Sequence, residues 1–267
     1  MQHLHLTTDL ISRIDEVEFL YLQDRMNAVR DFRNEPGCVE YIRRENLRAA
    51  IFPTNPNPNF NRILLSGPVS TDCLGEVLDL CVAKGVNPDL DISPGALDEE
   101  LAKFLQVRGY AQTGFHPVYI KPPGELTMGH ATGLRVVKVS TPEELAHFRE
   151  LYLQGWNIKA AVFGSYIERW SRYADWTLYL AYLGNQPIGC AALYIKNSIA
   201  YLADATTPEK FRGKGAQTAL LLARFKDAIS CNAEMIFTRT DFGSTSQRNM
   251  EKLDLRISYA RAFWKKL

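Results

Sequence analysis

The chain has 267 residues, 46% of them hydrophobic and 23% charged, with a formal net charge of +1. This is the composition of a soluble globular protein with room for two ordinary domains or one large one, and its near-neutral balance excludes general nucleic-acid binding, which needs a basic excess to displace counterions. No stretch approaches the roughly 18 consecutive apolar residues of a membrane helix, and the opening MQHLHLTTDLISRIDEVEF lacks the basic-then-apolar order of a signal peptide.

Thr8-Asp9 is placed to cap a helix over Leu10 to Asp31, with Ile11, Ile14, Val17, Phe19, Leu20 and Val29 as its apolar side and Glu35-Pro36-Gly37 at its end. Short extended runs follow at Cys38–Arg43, Leu47–Phe52 and Arg62–Leu65, with a loop over 53–59 on composition alone. A helix from Cys73 to Lys84 stops at Gly85, Pro88–Ile92 is a brief strand, and Pro94–Val107 is a helix closed by Gly109. Tyr110–Ile120 reads as a strand with a break at Gly114, and Lys121-Pro122-Pro123-Gly124, continuing to about Gly133, is the linker candidate.

Beyond the linker, Leu134–Val139 is a strand, and Thr141-Pro142-Glu143-Glu144 starts a helix with a threonine cap and a proline in the first turn. A second helical stretch spans Ala161 to Tyr173. Strands follow at Thr177–Leu183, Ile188–Ile195 and Ile199–Thr206, then a glycine turn and its helix, a strand at Met235–Thr240, a short helix over Ser246–Leu253 and a last strand, Ile257–Trp264. The order helix, three strands, helix, strand, helix, strand thus occurs twice, which divides the chain into domains at 1–122 and 133–267. The alternative for the first half is an unrelated α/β domain. Five cysteines (Cys38, Cys73, Cys81, Cys190, Cys231) have neither CxxC nor zinc spacing and read as free thiols of a cytoplasmic protein. The five histidines, His3, His5, His116, His130 and His147, are scattered, and no metal site is visible in them.

The segment Tyr201 to Leu222, YLADATTPEKFRGKGAQTALLL, carries the most chemistry. An apolar strand ends at Thr206-Thr207-Pro208, a turn holds Arg212-Gly213-Lys214-Gly215, and an apolar helix begins directly behind it. Strand, basic glycine turn and helix start make a site for a pyrophosphate, because the helix dipole and its unpaired N–H groups favour an anion and glycines allow close approach. A Walker loop would need Ser or Thr after Gly213-Lys214, where Gly215 stands, and a dinucleotide fingerprint would need a third glycine where Thr218 stands. A basic surface loop is the plainer alternative. In the helix behind the turn, Arg224, Lys226 and Asp227 mark the wetter side.

Arg-x-x-Gly-x-small-or-polar after a strand resembles the coenzyme A pyrophosphate loop of the GCN5-related N-acetyltransferase (GNAT) superfamily, which usually has Gly or Ala where this chain has Gln217. The resemblance covers the second half and implies a GNAT-type α/β (α+β) fold, a mixed, mostly antiparallel sheet flanked by helices, here as two domains in tandem. The first half has the element order but only Ser66-Gly67-Pro68-Val69-Ser70 at the equivalent turn, without the arginine, and is similar to a degenerate domain of this kind. The resemblance further implies acetyl-CoA, or another acyl-CoA, as co-substrate, no metal, and direct transfer of acetyl to an amine. Arg212, Gly213, Lys214, Gly215, Ala216 and Gln217 would hold the pyrophosphate, and the main chain of Ala205, Thr206 and Thr207 the pantetheine arm and carbonyl.

In the fourth-helix region, relatives end in Gly-Phe where this chain has Asp254-Leu255, and carry a tyrosine acid where it has Met250. Tyr259, Tyr201 or bulk water would then protonate the thiolate. Asn249 either hydrogen-bonds the cofactor or caps its own helix turn. If Ile199–Thr206 alternates regularly, Ala200, Leu202, Asp204 and Thr206 share a face, which makes Asp204 the candidate base; a salt bridge with a nearby Arg or Lys, or a surface-exposed strand end, is its other reading, and a bulge would reverse the face. Rings between Tyr152 and Trp176, Trp156 and Phe163 among them, lie where relatives place the acceptor lid. Most read as core, while Glu168, Tyr173 and Asp175 are weaker candidates for an ammonium group. The acceptor reads as a small-molecule amine, with neither nucleic acid nor membrane as partner, and the oligomeric state is left open. A non-catalytic acyl-CoA-binding or regulatory module is the rival, encouraged by Met250, and an acyltransferase using aminoacyl-tRNA is disfavoured by the intact turn.

Overall fold

The computed structural model describes residues 5–33, 38–55, 60–124, 133–158 and 166–267. Most of the expected linker, part of the 53–59 loop, the start of the 161–173 helix with Phe163, and His3 and His130 lie outside the described residues. The chain forms two compact units, Met1–Tyr119 with Arg239–Ser244 and Ile257–Leu267, and Ile120–Thr238 with Thr245–Arg256.

The first unit opens with α1 (Thr8–Arg33), which Thr7 rather than Thr8 or Asp9 caps: its Oγ1 accepts from Leu10 N–H at 3.2 Å. The strands are β1 (Glu40–Arg44), β2 (Leu47–Ile51), β3 (Arg62–Leu65), β4 (Asp89–Ile92) and β5 (Tyr110–Lys121), with α2 (Thr71–Ala83) before β4 and α3 (Glu99–Val107) before β5. Asp98 caps α3 by accepting from Leu101 N–H at 2.8 Å, so the helix starts five residues later than Pro94. The last strand of the chain, β11 (Ile257–Lys266), is a correction to the element order read from sequence. It pairs antiparallel with both β4 and β5 and so belongs to the first unit, which therefore runs β1-β2-β3-β4-β11-β5. The break expected at Gly114 is a bulge, where Thr113 is the extra residue between the pairs Phe263↔Gly114 and Trp264↔Gln112.

One face of this sheet packs Leu47, Ala49, Ile51, Ile63, Leu65, Leu90, Ile92 and Trp264 against Leu74, Val77 and Leu78 of α2 and Leu101 and Leu105 of α3. The alternate residues face α1, and several of them are charged and buried. Arg261 is fully buried and bridges Asp15 and Glu18 of α1; Glu18 also meets Arg239 at 2.8 Å, and Asp91 pairs with Arg62 and with His116 Nδ1 at 2.6 Å. Burial raises the Asp15 carboxyl to about 6 against the pull of Arg261. Burial pushes Glu18 the same way, but Arg239, Arg261 and Arg62 hold it well below the usual carboxylate range. Burial, with Arg239 and Arg62, presses His116 down to about 3, leaving it neutral at pH 7.

The second unit contains β6 (Leu134–Lys138), α4 (Pro142–Gly155), α5 (Ile167–Trp170), β7 (Trp176–Leu183), β8 (Gln186–Lys196), β9 (Ile199–Thr206), α6 (Ala216–Ser230), β10 (Met235–Arg239, whose last residue belongs to the first unit) and α7 (Thr245–Lys252). Its strands run β10-β9-β8-β7-β6, antiparallel except β9 with β10. α4 begins with the full capping box: Thr141 Oγ1 accepts from Glu144 N–H at 3.2 Å, and Glu144 accepts from Thr141 N–H at 3.1 Å. Both units thus repeat one plan, an antiparallel meander followed by a helix crossing to a parallel strand: β1-β2-β3-α2-β4 and β7-β8-β9-α6-β10.

Removing one member of a buried ion cluster strands its partners. Arg261→Met leaves Asp15 and Glu18 short of a cation and should cost about 3–5 kcal/mol in urea unfolding. A midpoint equal to that of the wild type would show that the cluster relaxes without penalty.

Candidate functional site

Across β8 and β9 the pairs run Cys190↔Thr206 and Ala191↔Ala205, then Leu193↔Leu202 and Tyr194↔Tyr201. Two residues of β9, Ala203 and Asp204, therefore stand against one of β8, Ala192, and β9 carries a bulge. Paired residues share a face, so Tyr201 lies with Tyr194, on the side where Tyr194 meets Trp176 (5.5 Å), Trp176 stacks on Trp170 (5.1 Å) and Trp170 meets Tyr152 of α4 (5.3 Å). The bulge turns Asp204 to this α4 face too, where its Oδ2 accepts from the Tyr152 hydroxyl at 3.0 Å. Regular alternation, with Asp204 beside Ala200 and Leu202, does not occur. In sequence Tyr152 has only the spacing of a core ring, which hides its partnership with Asp204, and it is indeed buried.

Thr206, one step on, faces the last turn of α4. A β-carbon on Gly155 would overlap the Thr206 side chain, so glycine is what lets the helix end lie on β9. Of the neighbouring aromatics, Tyr152, Tyr166, Trp170 and Trp176 are buried and Trp156 is half exposed. Glu168 and Asp175, weaker candidates for an ammonium group, already hold cations: Arg149 pairs with Glu168, and Lys196 lies 2.5 Å from Asp175.

On the other side of the turn, β9 leads through Thr207-Pro208 and a single 3₁₀ turn, Glu209–Phe211, to the glycines. Gly213 and Gly215 have φ of +78° and +82°, in the left-handed region that favours glycine. Gly215 is the N-cap of α6 and supplies no side-chain acceptor, and the first bond of the helix is Ala219 N–H to Gly215 C=O at 3.0 Å. The N–H groups of the first turn thus depend on an acceptor from outside the helix. Lys210, Arg212 and Lys214 are exposed around them, with the lysine ammoniums 4.8 and 5.7 Å from the Phe211 ring. Gln217 has a structural use: its Nε2 donates to Thr207 Oγ1 at 2.8 Å and ties the helix to the strand end.

β9 and β10 pair from Ile199↔Met235 to Tyr201↔Phe237, and the ladder ends there although both strands run on. The main chain at Ala205 and Thr206 therefore lies past the end of that ladder, beside the turn. The first unit differs at every one of these points. β3 and β4 pair along their whole length, Arg62↔Asp89 to Leu65↔Ile92. Ser70 caps α2 by accepting from Cys73 N–H at 3.2 Å, and Asn46 Nδ2 donates to Pro68 C=O at 2.9 Å, which closes the Gly67-Pro68 turn.

Two further candidates, Asn249 and Tyr259, stand on other elements. Asn249 is half-buried on α7 next to buried Met250. Tyr259 is in the first unit on β11, paired with Val118 of β5, buried, with its phenol raised well above the ordinary range by burial. Among the described residues no cluster of His, Cys, Asp and Glu could hold a metal ion, and no helix is long and apolar enough to cross a membrane. Arg224, expected on the wet side of its helix, is 1% exposed.

Gly155→Ala forces a methyl group into Thr206 and should lower stability by about 1–3 kcal/mol, the usual range for overpacking. An unchanged melting temperature would mean that the end of α4 lifts from β9 freely.

Residues 144–253, from the first turn of α4 through the glycine turn to the end of α7, match the model of the Acetyltransferase (GNAT) family. Among solved structures, a GCN5-related N-acetyltransferase from Kribbella flavida is similar over 91% of this chain and 95% of that one, with 14% identity and a TM-score of 0.65. A tandem GNAT protein from the clavulanic acid biosynthesis pathway is similar over 86% and 83%, with 14% identity and a TM-score of 0.59. A GCN5-related N-acetyltransferase from Sphaerobacter thermophilus is similar over 83% and 80%, with 10% identity and a TM-score of 0.56. No curated protein matches the chain. Together with the repeated strand–helix plan of the two units, these likenesses establish that the chain has the GNAT-superfamily fold in a tandem arrangement, with the family model reaching only its C-terminal half.

Proposed function

We propose that the second unit is an acyl-CoA-dependent N-acyltransferase that moves acetyl from acetyl-CoA to the primary amine of a small molecule by direct transfer. The observation that carries this reading is the uncapped, glycine-framed start of α6, set beside a strand whose ladder has opened. Backbone N–H groups that need an external acceptor, three basic side chains around them and two glycines suit a pyrophosphate. Arg212 to Gln217 would hold that group, Ala205 to Thr207 would hold the pantetheine arm and thioester through their main chain, and Asn249 is the side chain of α7 assigned to the cofactor.

When bound, the cofactor supplies an activated acyl carbonyl; the chain supplies position and proton traffic. Asp204 faces α4 at the bulge, next to the strand end, and takes the proton that the amine loses as nitrogen bonds to the carbonyl carbon and the carbon–sulfur bond breaks. Tyr152, donating to Asp204, fixes its orientation. Met250 has no proton to give, so protonation of the thiolate would fall to another donor, Tyr259, Tyr201 or water. Met250 also favours the rival reading, a module that binds acyl-CoA without turnover, and assay of thiol release against a panel of amines separates the two.

Titration with acetyl-CoA should saturate at one molecule per chain, because the first unit caps its own helix start. At 100 times the dissociation constant the cofactor should stabilise the protein by about 2.7 kcal/mol. Gly215→Val, strained at a φ of +82°, should lose most of that gain. No thermal shift with acetyl-CoA or free CoA would refute the site, and a stoichiometry of two would refute the assignment to one unit.

Asp204→Asn keeps the size of the side chain and its contact with Tyr152 but not its basicity. Cofactor binding should survive, while acyl transfer falls by roughly 100- to 10,000-fold, the usual contribution of a general base. Full turnover at neutral pH would make Asp204 structural.

A further inference from the structure

We propose that Arg224, on α6, is a positioning residue for acyl transfer: its guanidinium pins open the bulge of β9 and thereby sets the face on which Asp204 stands. The catalytic consequence rests on the acyl-transfer reading above; the effect on the bulge does not.

An extra residue in β9 displaces carbonyls of the β8–β9 ladder from their regular partners, and buried carbonyls must find donors. Arg224 Nη1 donates to both strands at the mismatch, to Ala192 C=O of β8 at 3.0 Å and to Ala203 C=O of β9 at 2.9 Å. Nε donates to Leu220 C=O one turn back at 3.2 Å and anchors the group to its own helix. All three bonds go to main-chain carbonyls. Burial lowers the guanidinium pKa to about 10, so it is still protonated at neutral pH, and charged donors make the stronger hydrogen bonds.

A cation in this position is costly, and packing does not call for it. Its neighbours on the helix, Leu220, Leu221 and Phe225, are fully buried apolar side chains, and another of that kind would fill the space without desolvating a charge. What an apolar residue cannot do is satisfy two carbonyls that the extra residue has displaced. Without those bonds the favoured state of the pair is a continuous ladder. A one-residue change of register reverses every side chain beyond it. Asp204 would then leave Tyr152 and α4 and turn to the α6 face with Ala200 and Leu202, and Thr206 would leave Gly155. The guanidinium thus holds the two residues of β9 on which the acceptor side of the site depends, without touching substrate.

The test uses the full chain with Arg224→Met and Arg224→Lys, a crystal structure of each, acetyl-CoA as cofactor and an amine acceptor from the panel. Arg224→Met should lose the bulge and the Tyr152–Asp204 bond, and kcat should fall by about 100-fold or more, as expected of a misplaced catalytic group. Arg224→Lys, which keeps a charged donor near the two carbonyls, should restore the bulge and at least a tenth of the wild-type kcat. A methionine variant that keeps the bulge, or that loses it and still turns over within threefold of wild type, overturns the proposal. If the methionine variant does not fold, the lysine variant decides: bulge and rate kept or lost together support the proposal, and one without the other overturns it. If the wild type itself transfers acyl to no amine, the acyl-transfer reading has failed, and the two crystal structures still decide whether Arg224 holds the bulge.

Discussion

At one point in β9 two residues stand opposite one of β8, and a sheet holds such a mismatch only if the polar groups it displaces find partners. The second unit answers from α6, with Arg224 reaching Ala192 and Ala203, while on the opposite face Tyr152 of α4 donates to the Asp204 carboxylate. The strand is thus gripped from both faces within two residues. Beyond that grip, Thr206 meets Gly155 and Thr207 accepts from Gln217, so the end of the strand is fixed to both helices just before the glycine turn.

The two units follow one plan and differ in their backbone accounts. In the first, the helix after the meander is capped by Ser70, its turn is closed by Asn46 and the parallel ladder runs the full length of β3 and β4. In the second, the corresponding helix begins at a glycine with no side-chain acceptor, and the parallel ladder stops at Tyr201. A fold that closes its own hydrogen bonds leaves little for a ligand, and one that leaves a helix start open invites an anion. The meander–helix–strand plan is the same in both units, so function has to be argued from these groups and not from the fold.

The first unit places its polar groups elsewhere. Arg62, Asp91 and Arg261 occupy the alternate strand positions that would face water in a one-sided sheet, but α1 covers them and contributes Asp15 and Glu18. Such a cluster adds little net stability over an apolar core, yet penalises the loss of any member.

Local chemistry was legible in the sequence. The capping box at Thr141, the left-handed glycines of the turn, the strand over Ile199–Thr206 and the repeated meander–helix–strand order each depend on residues close together in the chain, and these were placed within a few residues. Apart from the exact starts of α1 and α3, what failed depends on partners far along it. Whether β9 alternates or bulges is set by its pairing with β8 and by an arginine 20 positions on, so the face of Asp204 could not be read from the strand alone. The same holds for Arg224, whose charge reads as a surface mark until the two carbonyls beside it are known. It holds too for β11, since no residue within the strand states that its partners are β4 and β5. The sequence by itself determined most of the elements, the capping box of α4 and the glycine turn before α6, because torsional preference and capping act over a few residues. Tertiary structure alone decided register, strand placement and the burial of charge, because each is settled by hydrogen bonds between segments that the chain brings together only on folding.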